Sequence, residues 1–178
     1  RPAAQATTTI SAIARLVQIS GEKCEVTVEH HVGVPIGAGY GASAAGSLSA
    51  ALAFSDGADL GMSVNEIGRI VHEAEITSGT GLGTVGPILT GGFILTRKSG
   101  GPGIAVIDRI PASQRLKVVS ACFGPISTKK ALRSVGLRRK VNALGNATFR
   151  SIARDLRPQN FMRASKKFAL GLGLMSPQ

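Results

Sequence analysis

The stretch "VPIGAGYGASAAG", residues 34–46, holds the residues best able to do chemistry. Gly37, Gly39 and Gly41 alternate along it, and a run of small residues follows. Glycines adopt positive φ and let main chain approach a ligand without Cβ clashes. A helix opening directly after them presents unpaired N–H groups at the positive end of its dipole, which is an anion site. A phosphate chain suits such a cradle, and Ser43 supplies a hydroxyl to a phosphate or to its Mg²⁺. A Walker loop needs a Lys-Ser/Thr pair after the last glycine, where this chain has Ala42-Ser43. The dinucleotide fingerprint does not fit the glycine spacing either. Packing of small residues between helices is the competing explanation for the glycines.

Two further side chains lie within reach of such chemistry. Glu75 falls near the C-terminal end of a predicted helix, where the dipole disfavours a carboxylate. A nearby cation would remedy this, because Mg²⁺ is held by one or two carboxylates plus substrate phosphates; a plain surface glutamate is the alternative. His72, one turn earlier, either meets a substrate, orients the carboxylate or is simply packed. His30 and His31 point to opposite faces of a predicted strand and cannot share a metal. Cys24 and Cys122 lack metal-ligand spacing and read as buried, reduced thiols.

The elements that position these residues follow from periodicity. Residues 4–17 form a helix with Ile10, Ile13, Ala14 and Val17 as its apolar stripe. "KCEVTVEHHV" alternates as a half-buried strand, with Cys24, Val26, Val28, His30 and Val32 on one face. A small-residue helix follows over 42–54. Ser63 and Glu66 make a capping box opening a helix with the stripe Ile67, Ile70, Val71 and Ala74. After the glycine-rich "TSGTGLGTVGP" come three predicted strands, "GGFILTR", "IAVIDRI" and "LKVVSACF". Two amphipathic helices end the chain, on Val141, Leu144, Thr148, Ile152 and Leu156 and on Phe161, Ser165, Phe168 and Leu172. Strands and helices fall in blocks, so the class is α+β.

The chain has 178 residues and a formal net charge of +11. Residues 1–128 carry nine basic and nine acidic side chains, whereas 129–178 carry twelve basic residues against Asp155 alone. This shift suggests a boundary near Thr128. A nucleic-acid or polyphosphate partner is one explanation. The chain has one tyrosine, no tryptophan and no aromatic interleaving of the charges, which favours a solvated cationic face. No apolar run of about 18 residues is present, so no membrane helix is expected. The first residues lack the layout of a secretory signal, and a cytoplasmic protein is expected.

"PIGAGYGASAA" resembles the central motif of the GHMP kinases, whose pattern is a proline, three residues, Gly-Leu-Gly, two serines and small residues. Pro35, Gly39, Gly41, Ser43, Ala44 and Ala45 match it; Tyr40 replaces the leucine and Ala42 the first serine. "HEAEITSGTGLGTVGPILTGGFILTR", the "GGPG" turn and "GPISTKKAL" are most similar to the archaeal pantoate kinases within that superfamily. The resemblance implies a two-domain GHMP kinase-like fold. Residues 1–112 would be most of the ATP-binding N-terminal α/β domain, and 113–178 the beginning of a ferredoxin-like C-terminal domain. The N- and C-terminal motifs of the family would lie outside 1–178, so the chain would be the middle of an enzyme and not active alone.

The resemblance also implies ATP and Mg²⁺ as cofactors and phosphorylation of the 4-hydroxyl of pantoate, on the archaeal route to coenzyme A. Homoserine- or mevalonate-type kinases and a basic nucleic-acid-binding module are the alternatives. Pro35, Gly37, Gly39, Gly41, Ala42, Ser43 and Ala44 would hold the triphosphate, and Ser43 and Glu75 the Mg²⁺. The family's aspartate, proposed as general base in mevalonate kinase, has no counterpart here, since Gly83 and Thr84 occupy the candidate positions. Phosphoryl transfer relies mainly on positioning and charge neutralisation, so the reaction class survives this departure. Thr84, Gly81 and Gly83 would face substrate, with His72 near them. The carboxylate of pantoate needs a cation, for which Arg97 comes first and Lys129, beside Thr128, second. Family habit suggests a homodimer.

Overall fold

The computed structural model describes residues 6–112, 116–122, 124 and 135–175. It divides into two compact units, one of residues 1–111 and 115–128, the other of 112–114 and 129–178.

The first unit is built around three helices, α1 (Thr7–Ser20), α2 (Ala42–Gly57) and α3 (Val64–Ser78). Their facing stripes form one core of Ala12, Ile13, Leu16, Ala44, Leu48, Ala51, Ile67, Val71, Ala74 and Val85. Small residues on α2 let α1 and α3 pack closely against it while also packing against each other. The stripe of α1 differs from the expected one. Ile10 is 52% exposed and Ala14 is also exposed, while Thr8, Thr9, Ala12, Ile13 and Leu16 are buried. Two buried threonines supplied no apolar signal, so periodicity alone chose the neighbouring face.

Helix α3 starts as its sequence requires. Ser63 Oγ accepts from Glu66 N–H at 3.3 Å, and Glu66 Oε2 accepts from Ser63 N–H at 2.8 Å. Ser63 Oγ also donates to Glu66 Oε2 at 2.7 Å, and this bond, with the one from Ser63 N–H, holds the Glu66 carboxyl below the usual range. The helix ends at Gly79 in the left-handed region, φ 67°. A short helix, α4 (Val85–Thr90), follows where only a glycine-rich stretch was expected. Its Val85 reaches the core, which stabilises a turn whose own residues give no helical pattern.

Strands β1 (Ile94–Lys98) and β2 (Val106–Arg109) pair antiparallel, with Leu95 opposite Asp108 and a bulge between Thr96 and Lys98. Both were expected. Two other predicted strands form no ladder. Residues 21–33 run without regular structure, yet Val26 packs on the core and His30 meets α1, so the alternation reported a facing direction correctly. His31 turns the other way, 3.3 Å from Glu29 in solvent. Alternation specifies two faces but not a hydrogen-bonding neighbour, and none pairs with this segment among the described residues. Residues 116–122 likewise stand exposed, with Val118 85% and Val119 94% accessible. Phe123 lies outside the described residues. Cys24 and Cys122, expected to be buried, are both exposed free thiols because each sits on one of these unpaired segments.

The second unit shows two amphipathic helices as expected, α5 (Val135–Arg154) and α6 (Pro158–Leu172). Ile152 and Ala164 are buried, and Gly171 lies against the Leu144 side chain. Pro158 at the first helical position fixes the start of α6. The corner is held by Asp155, which accepts from the Arg157 backbone N–H at 3.1 Å and from its Nη2 at 2.7 Å. Asn160 Nδ2 donates to Asp155 O at 2.8 Å.

Candidate active site

The entry to α2 is assembled as an open cradle. Gly37, Gly39 and Gly41 all have positive φ, at 79°, 83° and 72°, so the alternating glycines answer a backbone requirement. Gly41 is the N-cap and provides no side-chain cap. The first helical bond runs from Ala45 N–H to Gly41 O at 2.9 Å. The N–H groups of Ala42, Ser43 and Ala44 precede it and have no intrahelical acceptor. Pro35, Ile36, Gly37, Gly39, Tyr40 and Ser43 are exposed, so the loop faces solvent and is not folded inward. Tyr40 O–H donates to Ser120 Oγ at 3.0 Å, tying the loop to residues 116–122. Beside the helix entry is a cavity of about 250 Å³ whose lining includes Thr8, Ala42, Ser43, Val32 and Ile36.

Glu75 lies behind this entry, in the last turn of α3. It is 1% exposed, and its Oε2 has no hydrogen-bond partner. Burial pushes its carboxyl above the ordinary range. A Cβ at Gly81 would come within 2.8 Å of both carboxylate oxygens, so a larger residue there would have to displace the Glu75 carboxylate. Thr80 N–H donates back to Glu75 O at 3.0 Å, which closes α3 and sets Gly81 in place.

Hydroxyls join the two parts. Ser43 Oγ donates to Thr8 Oγ1 at 3.2 Å, and Thr8 Oγ1 lies 2.8 Å from Thr80 Oγ1. Thr84 stands at the N-cap position of α4 without a side-chain capping bond, and a Cβ on Gly41 would come 3.1 Å from its Cγ2. The structure therefore gathers Gly41, Ser43, Glu75, Gly81 and Thr84 around the start of α2. Gly83 is exposed, with open space around its Cα.

Other candidates sit differently. His72 packs on Gly101 in the turn between the strands, where a Cβ would come 2.9 Å from its Cδ2; it makes no hydrogen bond to Glu75. Arg97 pairs with Asp108 across the β1–β2 ladder on an exposed face. Thr128 and Lys129 lie outside the described residues. Sequence reasoning missed Thr8 and Thr80. For Thr8 the available signal was the triplet "TTT" at the start of α1, two of whose hydroxyl residues fall on its buried face.

The residues present fit a phosphate chain and a hard cation. Uncapped N–H groups suit the anion. An unpartnered, buried carboxylate suits the cation, since an isolated buried charge is otherwise costly. Among the described residues no three His, Cys, Asp or Glu side chains converge, so an ion here would depend on one carboxylate plus ligand oxygens, as Mg²⁺ commonly does. No helix of the described residues is long and apolar enough to cross a membrane.

Comparison with known proteins gives three concordant findings. Residues 5–92 match the family model of the GHMP kinases N terminal domain. The chain is 32% identical over 151 residues to the pantoate kinase of Thermococcus kodakarensis, covering 85% of this chain and 49% of that protein. It is 30% identical over 157 residues to the pantoate kinase of Methanospirillum hungatei, covering 85% and 50%. The chain thus spans about half the length of the curated relatives it matches. A solved structure titled "Phosphotransferase related to CoA biosynthesis pathway" superposes with a TM-score of 0.71 at 24% identity, over 97% of this chain and 55% of that one, which shows the fold.

Proposed function

We propose that this chain is part of a pantoate kinase of the GHMP kinase family, whose N-terminal domain model matches residues 5–92. The reaction is transfer of the γ-phosphoryl group of ATP to the 4-hydroxyl of pantoate, which places the enzyme in the cytoplasm with its phosphate donor. The pantoate kinase relatives support the substrate. The observation that carries the reaction class is the uncapped start of α2 behind three left-handed glycines, open to solvent.

In this reading the N–H groups of Ala42, Ser43 and Ala44 bind phosphate oxygens, and the loop from Pro35 to Gly41 shapes the cradle. Ser43 Oγ and the Glu75 carboxylate are the side chains that would hold Mg²⁺, which neutralises charge on the phosphates. Thr84 and the backbone at Gly81 and Gly83 face the acceptor. No carboxylate stands at Gly83 or Thr84 to act as base, and a loose phosphoryl-transfer transition state does not require one. Arg97 is the candidate cation for the carboxylate of the acid, and its guanidinium would exchange its pairing with Asp108 for the substrate.

Coupled ADP release from the full-length protein that carries this chain, with Mg·ATP and pantoate, homoserine or mevalonate in parallel, tests the proposal. Release with pantoate well above the other two is expected. Release with homoserine or mevalonate alone would reassign the substrate within the family, and release with none of them would overturn the kinase reading.

A further inference from the structure

Nothing about the glycine loop explains why two helices bury hydroxyls beside it. Thr8 is 1% exposed on the face of α1 that it shares with Thr9, Ala12, Ile13 and Leu16, where a valine would fill the same volume. Its hydroxyl offers one proton and two lone pairs. Ser43 Oγ donates to Thr8 Oγ1 at 3.2 Å; Thr8 and Thr80 are 2.8 Å apart; Thr80 Oγ1 donates toward Glu75 O at a long 3.4 Å. One assignment satisfies all three contacts, with each proton pointing from α2 through α1 to the end of α3. The carbonyl of Glu75 has no proton to give, so it sets the direction of the series.

The consequence falls on Ser43. With its proton committed inward to Thr8, its oxygen presents only lone pairs toward the cradle. An oxygen so oriented is a cation ligand and a poor donor to phosphate. We infer that Thr8 is a positioning residue that fixes the hydroxyl of Ser43 as a lone-pair donor to the divalent cation accompanying the nucleotide. This rests on the kinase reading of the same site, and it adds a residue from α1, outside the glycine motif.

The test measures binding, not turnover. The affinity of a non-hydrolysable ATP analogue is determined calorimetrically with Mn²⁺ present and again with EDTA, for the unsubstituted protein, Thr8→Val, Thr8→Ser, Ser43→Ala and the Thr8→Val/Ser43→Ala pair. Thr8→Val should weaken the Mn²⁺-dependent affinity roughly 3- to 10-fold, the scale of one hydrogen bond, and leave the EDTA value unchanged. Thr8→Ser should restore it. In the Ser43→Ala background Thr8→Val should add nothing, since its effect passes through Ser43. If Thr8→Val does not fold, Thr80→Val, which leaves Thr8 without its own acceptor, should weaken the Mn²⁺-dependent affinity in the same direction. Unchanged Mn²⁺-dependent affinity in the folded variant, equal losses with and without metal, or additive losses in the pair would overturn the inference while leaving the kinase reading standing. No nucleotide binding by the unsubstituted protein would overturn both.

Discussion

Glu75 is the residue on which structure and chemistry disagree most usefully. A carboxylate in the last turn of a helix, buried and with Oε2 unpartnered, is a poor choice for stability. Burial raises its pKa from the ordinary 4.5, so folding favours the protonated form. Below about that ordinary value both folded and unfolded chains are protonated and no penalty exists. As pH rises through the raised value, the cost of the buried charge appears in full and stability falls. Glu75→Gln should therefore be more stable than the unsubstituted chain at neutral and alkaline pH, by about 1–2 kcal/mol, with the difference shrinking toward pH 4. Denaturant titrations across that range check the sign. The same variant should lose turnover roughly 10- to 100-fold, the usual scale for groups that tune a metal site. The glutamate's position could be read from the sequence, but its burial could not, because α4 and the fold of Gly81 over the carboxylate come from a stretch without periodicity.

Among the elements, those with a strong repeat were legible: α2, α3 with its capping box, the β1–β2 hairpin and the two final helices. Those that failed did so for a shared reason. Residues 24–32 and 116–122 carry strand-like residues, but a strand exists only when another main chain pairs with it, and a single segment's pattern is silent on that. Helix α1 was found with the wrong face, since Thr8 and Thr9 are polar yet buried through bonds to Thr80, Ser43, Ser47 and His30. The α5–α6 corner offers a clean check on element-scale electrostatics. Hydrogen bonds from the Arg157 side chain and backbone lower the Asp155 pKa from 3.8 to about 2. A lowered carboxylate contributes stability that is present above 3.8 and lost as pH falls through about 2. Asp155→Asn should thus melt slightly earlier than the unsubstituted chain at pH 7, with the two curves converging near pH 2. Helix melting followed by circular dichroism is the readout, and the gap should narrow with salt because the pair is exposed.

At the scale of the molecule, the two units carry different charge. Nine of the described cations on residues 135–175 face one carboxylate, Asp155, whereas residues 1–128 balance nine against nine. The chemistry gathered at α2, α3 and α4 lies wholly in the balanced unit, so the cationic one is not needed to explain a phosphate site. What that site does need is a main chain turned outward at the start of α2. Backbone amide resonances followed by NMR while a non-hydrolysable Mg·ATP analogue is added report on this directly. The amides of Ala42, Ser43 and Ala44, with those of Gly37 to Gly41, should move most and saturate together. Saturable shifts confined to other segments, with these amides unmoved, would contradict the assignment of this loop to the nucleotide.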